Sequence, residues 1–389
     1  MHTYADPPVT FVRGVGSRLY DTEGKEYLDF LSGLAVTSLG HAHPAVAEAV
    51  ATQARTLSHV SNLFGNLLAP EVAATIDRLV GDGERAGGQV FFGNSGAEAV
   101  ECAIKLARRW AAPGRIAVVT TWDAFHGRTL GALAATGQPD KQTPFAPMPE
   151  GFDHVPYDDL PAIERACDPD RVAALLVEPI MGEAGVVVPS SDYLGALRQL
   201  CTDRGVLLMV DEVQTGLGRT GRWFGFQHLG VEPDVVTLAK ALGNGMPVGA
   251  CWARAEVAAA FVPGDHGSTF GGQPLAMAAA RATLAVLEEE DAPGRADRAG
   301  GLLRGGLEGL PGVVSVRGRG LLLAAVLDRT FAPTACRSAL GAGLVVNAPR
   351  PDVLRLAPPL LVTDEEIDQA LSILRGVLSD LDAEQELSS

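Results

Sequence analysis

The chain has 389 residues, 47% of them hydrophobic, and a formal net charge of −16. That length should bury a large core, read as one big α/β unit with a smaller partner, and the apolar share is that of a globular protein rather than a disordered one. So acidic a balance argues against an electrostatic grip on nucleic acid or an anionic membrane, since either needs a concentrated basic face; any anionic substrate must be held by local arginines.

Five cysteines, Cys102, Cys167, Cys201, Cys251 and Cys336, are scattered, odd in number and without a CxxC, so neither a disulfide framework nor a thiolate zinc site is indicated. The N-terminus MHTYADPPVTFVRG has no basic n-region and no apolar h-region, and no apolar run approaches membrane-spanning length. The chain is read as soluble, unprocessed and cytoplasmic.

In chain order, residues 1–33 alternate apolar and polar positions around Gly and Asp turns, which predicts a small antiparallel hairpin in a separate N-terminal lobe. GHAHP then opens a helical pattern over Ala45–Gln53, with Pro44 suited to a first helical turn. His41 and His43 form an HxH without a third ligand at useful spacing, so a structural role is expected and no metal. Helical runs follow at Pro70–Leu79, Ala97–Trp110 and Tyr193–Arg204. Strand-like runs fall at Gln89–Phe92, Ile116–Thr120, Ala173–Val177, Val206–Val210 and Val235–Leu238. Strands alternating with helices predict a doubly wound, mostly parallel sheet. A long Ala- and Leu-rich helix follows Pro274, and a boundary is placed near residue 280, dividing the chain into 1–55, 56–280 and 281–389, the last joining the N-terminal lobe. The AEQELSS tail is read as mobile.

Two of the apolar runs end in Asp211 and Lys240, an acid and an amine at strand carboxyl ends, where open α/β sheets bind ligands. Such a lysine can form a Schiff base with a carbonyl, and such an acid can pair with a protonated pyridine nitrogen, the two needs of pyridoxal phosphate (PLP). Taken alone, the pair is also explained by a surface lysine and a helix-capping aspartate. GNSGAEA at Gly93–Ala99 is a tight small-residue turn before a helix, where the amides near Ser95, Gly96 and Ala97 make a phosphate site. An ordinary capped helix explains it equally, and it nearly spells the G-x-S-x-G nucleophile elbow, so a hydrolase triad of Ser95, Asp211 and His266 is a rival. Gly216, Gly218 and Gly221 form a G-x-G-x-x-G, yet RWFGF follows instead of a helical pattern, and a dinucleotide site is discounted. Phe125 offers a ring to stack on a flat cofactor, and Arg128 a fork for a carboxylate. Glu178 and Glu183 follow another strand, in an apolar turn where a glutamate needs a cationic partner. His266–Ala276 is a Gly-rich loop bearing Ser268 and Thr269, and Arg355 stands between apolar residues, either ion-paired or receiving a carboxylate.

NSGAEA, AFHGRT, EPIMGEAGVVVP, DEVQTGLGRTG, TLAKALGNGMPVGA, HGSTFGGQPLA and LRLAPPL, in this order, resemble the class III PLP-dependent aminotransferases. SNLF at Ser61 and KQTPFAP at Lys141 resemble that family's acetylornithine branch. The resemblance runs from about Thr3 to Leu374. It implies PLP-dependent transferase fold type I: a large domain with a mostly parallel central sheet, and a smaller α+β domain built from both termini. It implies a homodimer with shared active sites that converts N2-acetyl-L-ornithine and 2-oxoglutarate to N-acetyl-L-glutamate 5-semialdehyde and L-glutamate, a step of arginine biosynthesis. Position by position, Lys240 resembles the Schiff-base lysine, Asp211 the pyridinium partner, Ser95, Gly96 and Ala97 the phosphate turn, Phe125 the stacking ring and Gln214 the residue near the phenolic oxygen. Thr269 resembles the threonine given to the neighbouring subunit's phosphate, with Ser268 beside it near substrate. Arg128 resembles the arginine for the donor α-carboxylate, and Glu183 with Arg355 a pair whose arginine is masked or freed for a second carboxylate. Asn244, Val100 and Met181 depart from the family's usual Gly, Asn and Gln. Ornithine, 4-aminobutyrate and N-succinylated amines remain alternative donors.

Overall fold

Alternation around Gly and Asp turns produces the expected antiparallel meander, β1 (Phe11–Val15), β2 (Arg18–Asp21) and β3 (Glu26–Asp29). In this computed structural model, which describes residues 1–386 and the side chains of 1–383, the following apolar runs build one seven-stranded sheet. Its strands are β4 (Gly88–Gly93), β5 (Ala117–Thr121), β6 (Phe152–Val155), β7 (Val172–Val177), β8 (Leu207–Asp211), β9 (Val235–Leu238) and β10 (Gly249–Arg254). Their order is β4-β10-β9-β8-β7-β5-β6, parallel from β9 to β6 and antiparallel at β10 and β4. The fold is the mostly parallel α/β arrangement that the resemblance implies. The sequence reading lacks β6 and β10, because FDHV is half polar and GACWAR has no β-branched residue; pairing with established neighbours makes them strands.

The central strands are buried on both faces, which is why they read as continuous apolar runs instead of alternating ones. In β8, Leu208 and Val210 join one side of the core while Leu207 and Met209 join the other. Each such side chain contributes about 1.5–3 kcal/mol by leaving water, so the carboxyl ends of β8 and β9 are rigid mounts. Lys240 stands two residues beyond the end of β9 instead of on it, with a left-handed φ of 33°.

GLGRTG opens no helix; a short 3₁₀ segment, Gly225–Leu229, follows it. Its arginine explains the stretch. Arg219 is buried, donates to the carbonyls of Leu321 and Pro358, and reaches Ser38 Oγ at 2.9 Å. Burial brings its guanidinium down to about 9. The glycines let this loop pack against the C-terminal elements.

Those elements are β11 (Val313–Arg319), β12 (Leu322–Leu327), β13 (Leu344–Val345), β14 (Asn347–Arg350) and β15 (Val353–Leu356). Four form an antiparallel sheet ordered β11-β12-β15-β14, and β13 pairs in parallel with β3, which joins the two ends of the chain. A final helix covers Asp364–Glu386. The predicted mobile tail is therefore helical as far as Glu386, and Leu387–Ser389 lie outside the described residues.

Candidate active site

Helix Gly96–Trp110 starts where Ser95 Oγ accepts the Glu98 N–H at 3.2 Å, a side-chain cap made by the residue before the first turn. Its amino end points into a cavity of about 410 Å³, lined also by Phe125, Arg128, Asp211, Gln214 and Lys240. Glycine is required beside it: Gly127 has φ 138°, and a Cβ there would fall 2.8 Å from Ala97 Cβ.

Asp211 is buried and accepts three hydrogen bonds, from the Val213 N–H (3.0 Å), Thr237 Oγ1 (3.0 Å) and His126 Nδ1 (2.8 Å). His126 is itself fixed by Thr120 Oγ1 at 3.2 Å from Nε2. The sequence reading contains neither His126 nor Thr237 as site residues. Histidine beside Phe125 in AFHGRT was a visible signal, whereas Thr237 is one polar residue inside an apolar strand and only the β8–β9 register brings it to Asp211.

Lys240 faces this acid across the cavity. Burial brings its ammonium down to about 8, against the opposing attraction of Glu183 and with Arg355 adding to the depression. Glu178 lies in the same wall and accepts the Phe125 N–H at 3.2 Å; burial pushes its carboxyl up to about 7, with His126 opposing.

The two arginines differ in availability. Arg128 is exposed at the cavity, 5.8 Å from the Phe125 ring centre, with no hydrogen bond or ion pair among the described residues. Arg355 is buried behind the lining. Its Nη1 donates to Glu183 Oε1 at 2.6 Å and to Gln214 Oε1 at 3.3 Å, and its Nε to Asn347 Oδ1 at 3.0 Å. Its Nη2 is buried without a partner, a costly state that a further acceptor would relieve.

Ser268 and Thr269 do not line the cavity. Ser268 Oγ accepts from Asn94 Nδ2 and the Gly271 N–H, each at 3.1 Å, while Thr269 is exposed. The hydrolase triad is not assembled: Ser95 caps its helix, Asp211 holds His126, and His266 Nδ1 sits 2.9 Å from Lys105 Nζ. His41 Nε2 instead meets Asp29 Oδ2 at 2.7 Å.

Residues 2–378 match the family model for class-III aminotransferases. The chain belongs to the class-III aminotransferases. Its relatives include the acetylornithine aminotransferases of Corynebacterium efficiens, 50% identical over 98% of this chain and 96% of that one, and of Streptomyces coelicolor, 50% identical over 97% and 93%. Among solved structures, ornithine aminotransferase from Toxoplasma gondii superposes with a TM-score of 0.93 at 38% identity, covering 99% of this chain and 93% of that one. Acetylornithine aminotransferase from Elizabethkingia anophelis gives 0.85 at 36%, covering 98% and 96%.

Class-III aminotransferases use PLP, and the residues here fit it. An amide-rich helix start suits the phosphate, an acid with a polar backing suits a pyridinium, and an amine of lowered basicity suits the aldehyde. In this class-III aminotransferase, all three departures from the usual sequence have visible surroundings, Val100 being fully buried in an apolar cluster with Ile104, Leu106 and Val118. Met181 is buried, its sulfur 3.8 Å from Thr121 Oγ1. Asn244 takes the left-handed conformation, φ 45°, that elsewhere calls for glycine, and ties the loop after Lys240 to the N-terminal segment. Its Oδ1 accepts the Leu39 N–H at 2.9 Å and its Nδ2 donates to Gly40 O at 3.1 Å. Asn244→Ala should lose both bonds and pay the left-handed penalty, about 2–4 kcal/mol together. Asn244→Gly should lose only the bonds, so urea midpoints should fall in the order wild type, Gly, Ala; an alanine variant as stable as wild type would contradict this.

Proposed function

We propose that this enzyme transfers the δ-amino group of N2-acetyl-L-ornithine to 2-oxoglutarate, forming N-acetyl-L-glutamate 5-semialdehyde and L-glutamate. The observation that carries this reading is the pair of arginines, one free and one masked, flanking Lys240 and Asp211. A donor with one carboxylate needs one arginine; an acceptor with two needs both. The relatives at 50% identity carry the name acetylornithine aminotransferase, which supports the choice of donor.

When bound, PLP supplies an aldehyde for the incoming amine and an electron-withdrawing ring. Lys240 Nζ would hold the aldehyde and, when free, would serve as the general acid–base that moves a proton at substrate. Asp211, oriented by His126 and Thr237, would pair with a protonated ring nitrogen. The amides of Gly96 and Ala97, with Ser95, would hold the phosphate, Phe125 would stack on the ring and Gln214 would serve the phenolic oxygen. Arg128 binds the donor α-carboxylate. Glu183 covers Arg355 in the donor half-reaction and leaves it for 2-oxoglutarate in the other, which places the second carboxylate by the orphan Nη2.

The reading includes a homodimer in which Thr269 reaches the neighbouring subunit's phosphate and Ser268 lies near substrate. Support comes from an exposed apolar patch beside that loop: Leu63, Phe64, Leu67 and Phe270 are 86, 70, 85 and 59% exposed. Asn62 Nδ2 ties the patch to the loop through the Gly271 carbonyl at 3.0 Å. A division into a large domain, residues 56–280, and a small one from 1–55 and 281–389 is supported by the pairing of β13 with β3. A reducing cytoplasm suits the five free cysteines. Among the described residues no helix is long and apolar enough to cross a membrane.

The test is a donor panel with 2-oxoglutarate as acceptor. N2-acetyl-L-ornithine should exceed ornithine and 4-aminobutyrate in kcat/KM by at least about tenfold, the discrimination of one well-placed group. A higher value for either free amine would overturn the donor assignment, and absence of turnover with every donor would overturn the reaction.

A further inference from the structure

A second cavity, of about 440 Å³, shares no lining residue with the first. Three guanidinium groups line it, Arg304 from helix Ala292–Glu308 and Arg317 and Arg319 from β11; Asp297 is the carboxylate within the lining, and Glu308 lies 3.9 Å from Arg304 outside it. Arg317 and Arg319 are two residues apart on one strand and so share a face. This is a local reversal of sign on a chain whose net charge is −16.

The arginines are held in different ways. Arg304 is pinned by the carbonyls of Val316 (2.6 Å) and Gly318 (2.9 Å). Arg317 is anchored through Nε to Gly185 O at 2.9 Å. Arg319 is exposed and has no hydrogen bond or ion pair among the described residues. The opposite wall carries His228, whose Nε2 is 3.0 Å from Thr220 O. Burial first, and the charge of Arg319 next, press its imidazole below the ordinary range.

The base of the cavity is backbone against backbone. A Cβ on Gly320 would fall 2.6 Å from the Thr220 carbonyl carbon, and one on Gly300 would fall 2.1 Å from Gly320 O. No larger side chain fits at either position, because the segments pack backbone to backbone there. Three segments meet here: the loop that follows Asp211, helix Ala292–Glu308, and the β11–β12 turn.

We infer that this cavity is a binding site for a compact dianion, of phosphate or dicarboxylate type, held between Arg317, Arg319 and Arg304. Guanidinium forks match the planar edges of carboxylate and the oxygens of phosphate, and the volume suits a small molecule. An occupant would tie the loop after Asp211 to the C-terminal elements. The site stands independently of which donor the enzyme uses.

The test is calorimetric titration of the PLP-loaded full-length enzyme at low salt with inorganic phosphate and, separately, with succinate. Saturable binding of at least one is expected. The Arg317→Gln/Arg319→Gln double variant should bind that anion at least about tenfold more weakly, having lost two charge-assisted contacts. Asp297→Asn should bind it more tightly, an outcome misfolding cannot produce. A loss confined to phosphate or to succinate identifies which class the site takes. Absence of saturable binding of both anions, or binding that the double variant leaves unchanged, as succinate in the active site would be, overturns the proposal.

Discussion

Replacing Lys240 with alanine should lower steady-state turnover at least about 10⁴-fold, the upper range for losing a positioned general acid–base, because the same amine is also proposed to hold the cofactor. Among the described residues Lys240 is the one lysine lining the cavity; Lys141, its Nζ 5.2 Å from the Phe125 ring centre, stands outside that lining. Borohydride treatment of the PLP-loaded wild type should leave a stable mass increase on the peptide containing residue 240, and the variant should show none. A retained label in the variant would remove the assigned role.

The amine's basicity gives a second readout. Burial lowers it from 10.5 to about 8, so the reactive neutral form grows as pH rises towards 8 and saturates above it. The rate at which apoenzyme captures PLP should therefore climb about tenfold per pH unit below the midpoint and level off beyond it. Linkage gives the sign for stability. The unfolded lysine binds a proton between about 8 and 10.5 that the folded one has released, so this contribution to apoenzyme stability rises with pH across that window and is lost below it. Glu183 opposes the depression most strongly, so Glu183→Gln should move the capture midpoint to lower pH; a midpoint that rises would contradict the assignment.

Asp211→Asn should cost about 10²–10³ in kcat, the loss typical of removing one preorganised charge from a water-poor site, with smaller changes in the KM of either substrate. Asparagine fills the same space but cannot balance a protonated ring nitrogen. Its effect should therefore fall on the chemical step. A structural account, in which Asp211 only anchors His126, Val213 and Thr237, predicts loss of stability with kcat preserved in the folded fraction. The two are separated by kcat measured per folded molecule. Asp211 contributes to the raised carboxyl of Glu178, so the variant's Glu178 should titrate below about 7. An unchanged kcat would reject the role proposed for Asp211.

Legibility in the sequence followed the range of the forces involved. β9 and the helix Tyr193–Arg204 have the bounds their apolar runs predict, since burial on both faces of a strand and the glycine after Arg204 are written locally. β10 was not legible, because small residues such as Gly249 and Ala250 become a strand only between β4 and β9. Lys240 and Asp211 were legible as chemistry at two strand ends, but His126 as the partner of Asp211 was not, since 85 residues separate them. Arg219 shows the same limit from the other side. The glycines around it suggested a nucleotide, and only packing against Ser38, Leu321 and Pro358 shows an arginine satisfying buried carbonyls.

By itself, then, the sequence determined the alternating α/β order, the phosphate-ready helix start and the two chemical handles, because periodicity, capping and residue type act over a few neighbours. Tertiary structure alone decided that Arg355 is masked by Glu183 while Arg128 is free, and that three arginines line a second cavity sharing no residue with the first. Those outcomes depend on charges brought together from distant segments, and their energies exist only once water has been excluded between them.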